Sequence, residues 1–444
     1  MIFNDKYILN DGADIAVIGG GPSGTFFTIF ALKMAKMIDK KLNITIFDPK
    51  DFSRNGPAGC NRCGGVISEL LVQTLAVEGI NLPDSVIQRG INSYRLHTLH
   101  GSVDIVTPSF EKTIATIKRG GGPSEINLAG KESFDNFLLK QAIELGAVHR
   151  PLRIDRIEYN GDKPLLFSQG EKVHESDAVV GAFGVNSTAA KMFEDIGFGY
   201  SRPETITTAI AELEFGEDVV SEYFGNSIQL FLLPLPGMKF AAMIPKGSYV
   251  TVCILGKNMG SHTMENFLNH DIVRKILPRG AYVKPMCRCL PKMSIGAPRI
   301  PFTDRIVICG DAGSTRLFKD GIGAAYIMGK AVAKTVVFDG VSKEHFREGY
   351  YPAYRGIKID NYYGRYLFWV TDLYKKYGIM TKGMLAVVED EQKGPGNPRV
   401  LSTILWNMFT GNERYKDIFK TAISIPMHID LWREFAGSIV RRRK

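Results

Sequence analysis

The chain has 444 residues, 45% of them hydrophobic and 23% charged, with a formal net charge of +9 at pH 7. That length predicts two or three domains, and the composition excludes a disordered or fibrous chain. Six cysteines exclude a disulfide-built fold. The absence of a leader pattern, and of any run of about 20 apolar residues, predicts a cytoplasmic, reducing setting.

Residues 14–24 read Asp-Ile-Ala-Val-Ile-Gly-Gly-Gly-Pro-Ser-Gly. The pattern predicts a short buried strand, a glycine turn and a helix to about Met37. Gly19, Gly21 and Gly24 fill a G-x-G-x-x-G frame, with Pro22 and Ser23 opening the helix. The first glycine permits the turn, the second admits a pyrophosphate, and the third lets helix and strand pack closely. The helix N-terminus offers free N–H groups and a positive dipole end to phosphates. A second strand ends in Asp48, 24 residues beyond Gly24, where a ribose-binding carboxylate belongs.

Residues 54–65 form a Gly/Pro-rich loop containing Cys60, Arg62, Cys63 and Gly64. A helix is predicted over 68–77, antiparallel strands within 91–118, and a helix from Gly130 with Phe134, Phe137, Leu138 and Ala142 on one face. Residues 152–180 read as strands, and 177–184 as a second buried strand ending at Gly184. Four more strands are predicted between 205 and 255. Residues 305–323 give a third strand ending at Gly310-Asp311, then a loop, then Gly321-Ile322-Gly323 opening a long apolar helix. The remainder is aromatic and lysine-rich, with an aromatic helix near 362–374 and a linker predicted over 389–398. Cys253 and Cys309 read as packing residues, and the histidines as surface residues. Cys60-x-x-Cys63 has redox-pair spacing, while Cys60, Cys63, Cys287 and Cys289 lack zinc-ligand spacing, so no metal is expected. The basic Arg441–Lys444 end fits a solubilising surface, anionic lipid or nucleic acid. Without a basic-aromatic module, nucleic acid is not expected.

These three glycine-ended strands, in this order, resemble the FAD-binding fold of the p-hydroxybenzoate hydroxylase superfamily, and within it the geranylgeranyl reductase family, over about residues 12–340. Residues 130–135 resemble that family's Arg-x-x-Phe-Asp helix start, with Lys131 for arginine. Residues 181–187 resemble Gly-Ala-Asp-Gly-x-x-Ser, with Phe183 for the acid. Cys63-Gly-Gly resembles the flavin-side loop, and residues 237–246 the Tyr-x-Trp-x-Phe-Pro strand, with Phe240, Ala242 and Ile244 at the three ring positions.

The resemblance implies an α/β protein: a Rossmann-like FAD-binding domain (1–90, 125–200 and 295–340), an inserted antiparallel β substrate domain (91–124 and 201–294) and a helical C-terminal region (341–444). It implies FAD held by Gly19, Gly21, Pro22, Ser23, Gly24, Asp48, Gly64, Lys131, Gly184, Gly310, Asp311, Gly321, Ile322 and Gly323, with NAD(P)H or another electron donor. The implied reaction is reduction of C=C bonds in an isoprenoid or other apolar molecule bound by Phe240, Ala242 and Ile244. Cys63, its thiol next to Arg62, is the candidate catalytic group or else an inert loop thiol. Peripheral membrane contact is compatible with that substrate class. An aromatic monooxygenase or halogenase on the same fold is the alternative, although the halogenase Trp-x-Trp-x-x-Ile-Pro stretch is absent and Phe183 replaces the hydroxylase acid. A flavin-containing RNA- or membrane-binding protein is a third reading.

Overall fold

The computed structural model describes residues 5–62, 64–107, 114–122, 130–278, 285–394 and 399–424. Its first layer is a six-stranded sheet in the order Phe302–Thr303, Ile306–Ile308, Ala178–Gly181, Ala13–Ile18, Leu42–Phe47, Val148–Arg150. Every pairing is parallel except that of the Phe302–Thr303 edge. The central strands are continuous Ile, Val and Ala runs because both faces are covered. Helices Pro22–Met37, Phe134–Glu144 and Gly321–Lys334 contribute to the core on one side. The antiparallel meander of Arg156–Glu158, Leu165–Ser168 and Glu171–Glu175, with helix Ala190–Asp195, covers the other.

A second sheet has seven strands in the order Cys287–Cys289, Ala209–Glu214, Tyr249–Gly256, Met238–Pro245, Ser227–Leu232, Ser93–Thr98, Gly101–Val106. It is antiparallel except where Ser227–Leu232 runs parallel to Ser93–Thr98. One face carries Ala241, Met243, Val250, Val252 and Ile254 against short helices. The opposite face carries Phe240, Ala242, Ile244, Cys253 and Leu255 against the C-terminal helices. The α/β fold with an antiparallel second sheet and helical C-terminal region is therefore the observed one.

Three expectations change. The run Gly321–Asp339 is long and apolar enough to cross a membrane, contrary to the expectation that no stretch is. It is mostly buried, as a core helix of this sandwich would be. His97 is buried rather than on the surface, held between Ser102 Oγ and Gln229 Oε1 at 2.8 Å each. Burial pushes its pKa down.

The expected linker is the third change. Residues 389–391 close the helix Gly378–Glu391, and the Glu391 carboxylate is buried. It accepts from the N–H groups of Leu401 and Ser402 at 2.8 and 2.7 Å and from the Ser402 hydroxyl at 2.6 Å, capping the next helix, Val400–Thr410. Residues 395–398 of that expectation lie outside the described residues. Glu391→Ala is expected to orphan three buried donors and cost about 3 kcal/mol. Urea unfolding of the variant checks this, and a loss under ~0.5 kcal/mol, a typical surface effect, refutes it.

Candidate functional site

The glycine turn closes the first strand against its neighbours. Gly19 has φ +113°, and a Cβ there would lie 2.4 Å from Ala182 O. A Cβ on Gly24 would lie 2.0 Å from Gly19 O, so helix and strand touch through a hydrogen. Gly21 differs: its Cβ would meet only Asn61 Nδ2, at 3.6 Å. Gly21 is also the N-cap of helix Pro22–Met37 and, being glycine, offers that helix no side-chain cap. The orphan amides of its first turn thus stand behind an open position, the arrangement that receives a phosphate.

Asp48 is fastened to the turn. One carboxylate oxygen accepts from Gly20 N at 2.7 Å and the other from Lys50 N at 2.9 Å. Each oxygen has a second acceptor site for a ribose hydroxyl. The third strand's end joins at Gly310, φ +69°, whose Cβ would lie 2.7 Å from Ser23 Cβ. Ser23 Oγ donates to Cys309 Sγ at 3.1 Å. Asp311 follows; burial raises its pKa, opposed by a hydrogen bond from Thr315 and by the charge of Arg119.

The loop into helix Gly321–Lys334 is strained. Phe318 and Asp320 both hold left-handed backbone, at φ +61° and +50°, a region costly for side chains without glycine's freedom. Between them Lys319 is buried. Its ammonium donates to the carbonyls of Asn407 and Glu413 at 2.7 and 3.0 Å and lies 4.1 Å from the Tyr415 ring centre. Burial pushes its pKa down to about 7. Asp320 caps the helix through Gly323 N at 3.0 Å and pairs with Arg316. Of the three residues assigned to a flavin edge, Gly323 therefore has its N–H already engaged, leaving Gly321 and Ile322 at the helix start.

The glycine-rich loop is locked from beneath. Asp135 is fully buried and accepts from Arg119 Nε and Nη2 at 2.7 and 3.0 Å, from Gly120 N at 2.9 Å and from Asn61 Nδ2 at 2.7 Å. Cys60 bridges Gly120. Arg62, at φ +52°, donates to Asn186 Oδ1 at 2.5 Å, and Asn186 in turn clamps both the N–H and the C=O of Lys292. Cys63 lies outside the described residues. Gly64 has open space where a Cβ would stand, as does Gly184, φ +67°. Lys131 turns elsewhere: its ammonium donates to the carbonyls of Asp84 and Ile87, both at 2.9 Å, because it precedes the helix N-cap Ser133 on an exposed bend.

A cleft of about 270 Å³ opens beside this loop, lined in part by Arg62, Phe183, Tyr200, Arg202, Leu290 and Lys292. Phe183 stacks on Phe193 with ring centres 4.9 Å apart and meets Tyr200 edge-on. Across the cleft's β wall, Cys287 and Cys289 pair with Glu212 and Ile210, and Ile210 pairs with Cys253. Burial pushes the Cys287 and Cys253 thiols up to about 12 and Cys289 to about 11. Among the described residues no group of three or more His, Cys, Asp or Glu is placed to hold a metal ion.

The three residues assigned to the substrate are buried together. Phe240 lies nearly parallel to Phe368, centres 5.8 Å apart, and meets Phe318 and Phe409 edge-on. Ala242 and Ile244 continue the same face. Beyond them Lys246 is fully buried, 4.0 Å from Glu212 Oε1, and its Nζ finds no hydrogen-bond partner among the described residues. A Cβ on Gly65, φ +73°, would come within 3.1 Å of that ammonium, so the glycine makes room for it. Sequence reasoning matched Asp135 as part of the helix-start motif without giving it a role, and missed Asn61, Arg119, Glu212 and Lys246. The available signal was a lysine in register with Phe240, Ala242 and Ile244.

The fold is shared with solved flavin-dependent proteins. A solved geranylgeranyl bacteriochlorophyll reductase-like protein from Thermoplasma acidophilum superposes with a TM-score of 0.65, at 15% identity over 93% of this chain and 99% of that one. A flavin-dependent brominase follows at 0.61, 14% identity, 92% and 98% coverage. A p-nitrophenol 4-monooxygenase from Pseudomonas putida DLL-E4 gives 0.58, 13% identity, 86% and 98% coverage. In sequence, an uncharacterized protein of Methanosarcina barkeri (strain Fusaro) is 21% identical over 366 residues, 80% of this chain and 84% of that one. No family model matches the chain.

Proposed function

We propose that the chain is an FAD-dependent oxidoreductase that reduces a C=C bond of an isoprenoid-like or other apolar substrate. The observation that carries this reading is the glycine turn Gly19–Gly24, which packs on Ala182 and Gly310 at the ends of the next two strands and leaves Gly21 open at a helix start. FAD, when bound, supplies hydride chemistry. The chain's residues do the rest. Gly21 leaves room for the diphosphate, and Asp48 takes a ribose hydroxyl while holding the turn. Asp311 lies buried at the third strand end, placed to hydrogen-bond the cofactor's sugar chain. The Phe240–Phe368 layer excludes water and orients an apolar chain. Lys246 and Glu212 bring a charged pair, 4.0 Å apart, to that same face, and Cys63 is the candidate catalytic group. The cationic rim of the cleft and the Phe183 ring favour a planar, anionic electron donor such as NAD(P)H.

The test is turnover of polyprenyl substrates by the purified yellow protein with NADPH or dithionite, with and without O₂. Saturated product under anaerobic conditions supports the reading. Oxygenated or halogenated product formed only in air overturns it in favour of the monooxygenase or halogenase chemistry seen among the structural neighbours.

A further inference from the structure

The helix Tyr351–Lys376 has two unlike sides. Its inner side buries Tyr354, Ile357, Leu367 and Phe368. Its outer side exposes Ile359 (40%), Tyr362 (58%), Tyr366 (48%) and Trp369 (53%), and Tyr377 (47%) and Ile379 (45%) extend the patch past the helix end. Positions 359, 362, 366 and 369 fall at spacings of three and four, so they form one stripe. The rings are organised: Tyr366 and Trp369 lie 5.6 Å apart, and Tyr366 meets Phe419 of helix Tyr415–Ala422 at 5.3 Å.

The charge around the stripe is mainly positive, with Asp417 of the neighbouring helix paired to Arg414 and Lys420. Arg355, Arg365 and Lys376 are exposed along the helix, and Lys416 and Lys420 on the helix beside it. The Arg365 guanidinium sits 5.8 Å from the Tyr362 ring centre. Both acids of the long helix are engaged. Asp360 is buried and accepts from the Tyr415 and Lys416 amides, and Asp372 pairs with Lys239 and Lys375.

We propose that this stripe is a docking surface for an anionic lipid bilayer. Tyr and Trp, with an apolar body and a polar tip, are the side chains that settle at the headgroup level, and flanking Lys and Arg add attraction to anionic lipids. A second copy of the chain fits less well, because a two-fold contact would oppose one cationic flank to another. The position gives docking a use. Phe368, on the inner side, stacks on Phe240, so the stripe lies about one helix diameter, ~10 Å, from the apolar sheet face. A lipid-dissolved substrate would reach that face without crossing water. That use rests on the reductase reading, whereas the docking itself does not.

The experiment is co-sedimentation of the full-length protein with phosphatidylcholine vesicles and with vesicles containing phosphatidylserine. It compares the natural chain with Tyr366→Ser/Trp369→Ser and with Arg355→Glu/Lys376→Glu. Their exposed positions should leave the fold and the flavin absorbance unchanged, so a failure of docking is separable from a failure of the flavin reading. The natural chain should sediment with the anionic vesicles, less so at high salt, and each double variant should bind about tenfold more weakly, the effect of losing ~1.4 kcal/mol. Equal sedimentation of variants and natural chain would overturn the proposal. So would light scattering that shows a dimer which Tyr366→Ser/Trp369→Ser converts to monomer.

Discussion

Gly24→Ala is expected to lose both flavin and stability, whereas Gly21→Ala is expected to lose flavin alone. The two glycines lie three residues apart in one turn, but their surroundings differ. At Gly24 the added methyl would sit 2.0 Å from Gly19 O and 3.0 Å from Val17 Cγ1. The helix must move off the strand, at a cost of about 3 kcal/mol. At Gly21 the backbone is extended, φ −73° and ψ −178°, which any residue adopts, and the nearest atom is 3.6 Å away. Exchanging glycine for alanine at an N-cap costs roughly 1 kcal/mol or less. The methyl does, however, occupy the space through which a diphosphate would approach the helix amides. A displaced diphosphate forfeits charge-assisted bonds worth roughly 3 kcal/mol, about a hundredfold in Kd. Visible flavin absorbance of the purified variants, with thermal melts in the presence and absence of added FAD, separates the two effects. A yellow Gly21→Ala protein of natural affinity would refute the placement of the cofactor.

How much of this was legible in sequence follows from the range of the interactions. The turn at 19–24 is local, since strand, glycines and helix lie within one short stretch and each residue states its own constraint. Gly310-Asp311 was legible for the same reason. The lock beneath the loop was not, because Asn61, Arg119 and Asp135 are far apart in the chain and meet only when the fold is complete. Residues 389–391 read as a linker because they are acidic and lie next to glycine and proline. Their one buried acid is explained only by the helix start it caps ten residues later. Lys131 shows the converse: a motif position can be matched while its side chain is drawn to the nearest free carbonyls. Phe240, Ala242 and Ile244 were named from the resemblance to the Tyr-x-Trp-x-Phe-Pro strand, and they share one face of the second sheet. That the aromatic partners of Phe240 come from 318, 368 and 409 is a tertiary fact.

The second large effect is expected at Asp135. Its carboxylate is fully buried, and burial alone would raise its pKa. The Arg119 guanidinium, with the bonds from Gly120 and Asn61, outweighs burial and holds it below its ordinary value of 3.8. Asp135→Asn keeps the shape but removes the charge, and it turns an N–H₂ toward donors that need an acceptor. Breaking one half of such a pair leaves Arg119 uncompensated, at a cost of about 3–5 kcal/mol. The pH dependence has a definite sign. A carboxylate whose folded pKa is depressed contributes stability that is present above its unfolded pKa and is lost as pH falls through the folded value. The natural chain should therefore lose this share of its stability below pH 3.8, while Asp135→Asn, having none to lose, should show a flatter acid limb. Urea midpoints across the acid range measure both the offset and the slope. The Asn61–Arg119 lock also fixes the loop that carries Arg62 and Gly64, so the variant's residual folded fraction should hold flavin more weakly. An Asp135→Asn midpoint equal to that of the natural chain at neutral pH would show that the buried carboxylate does not hold the loop.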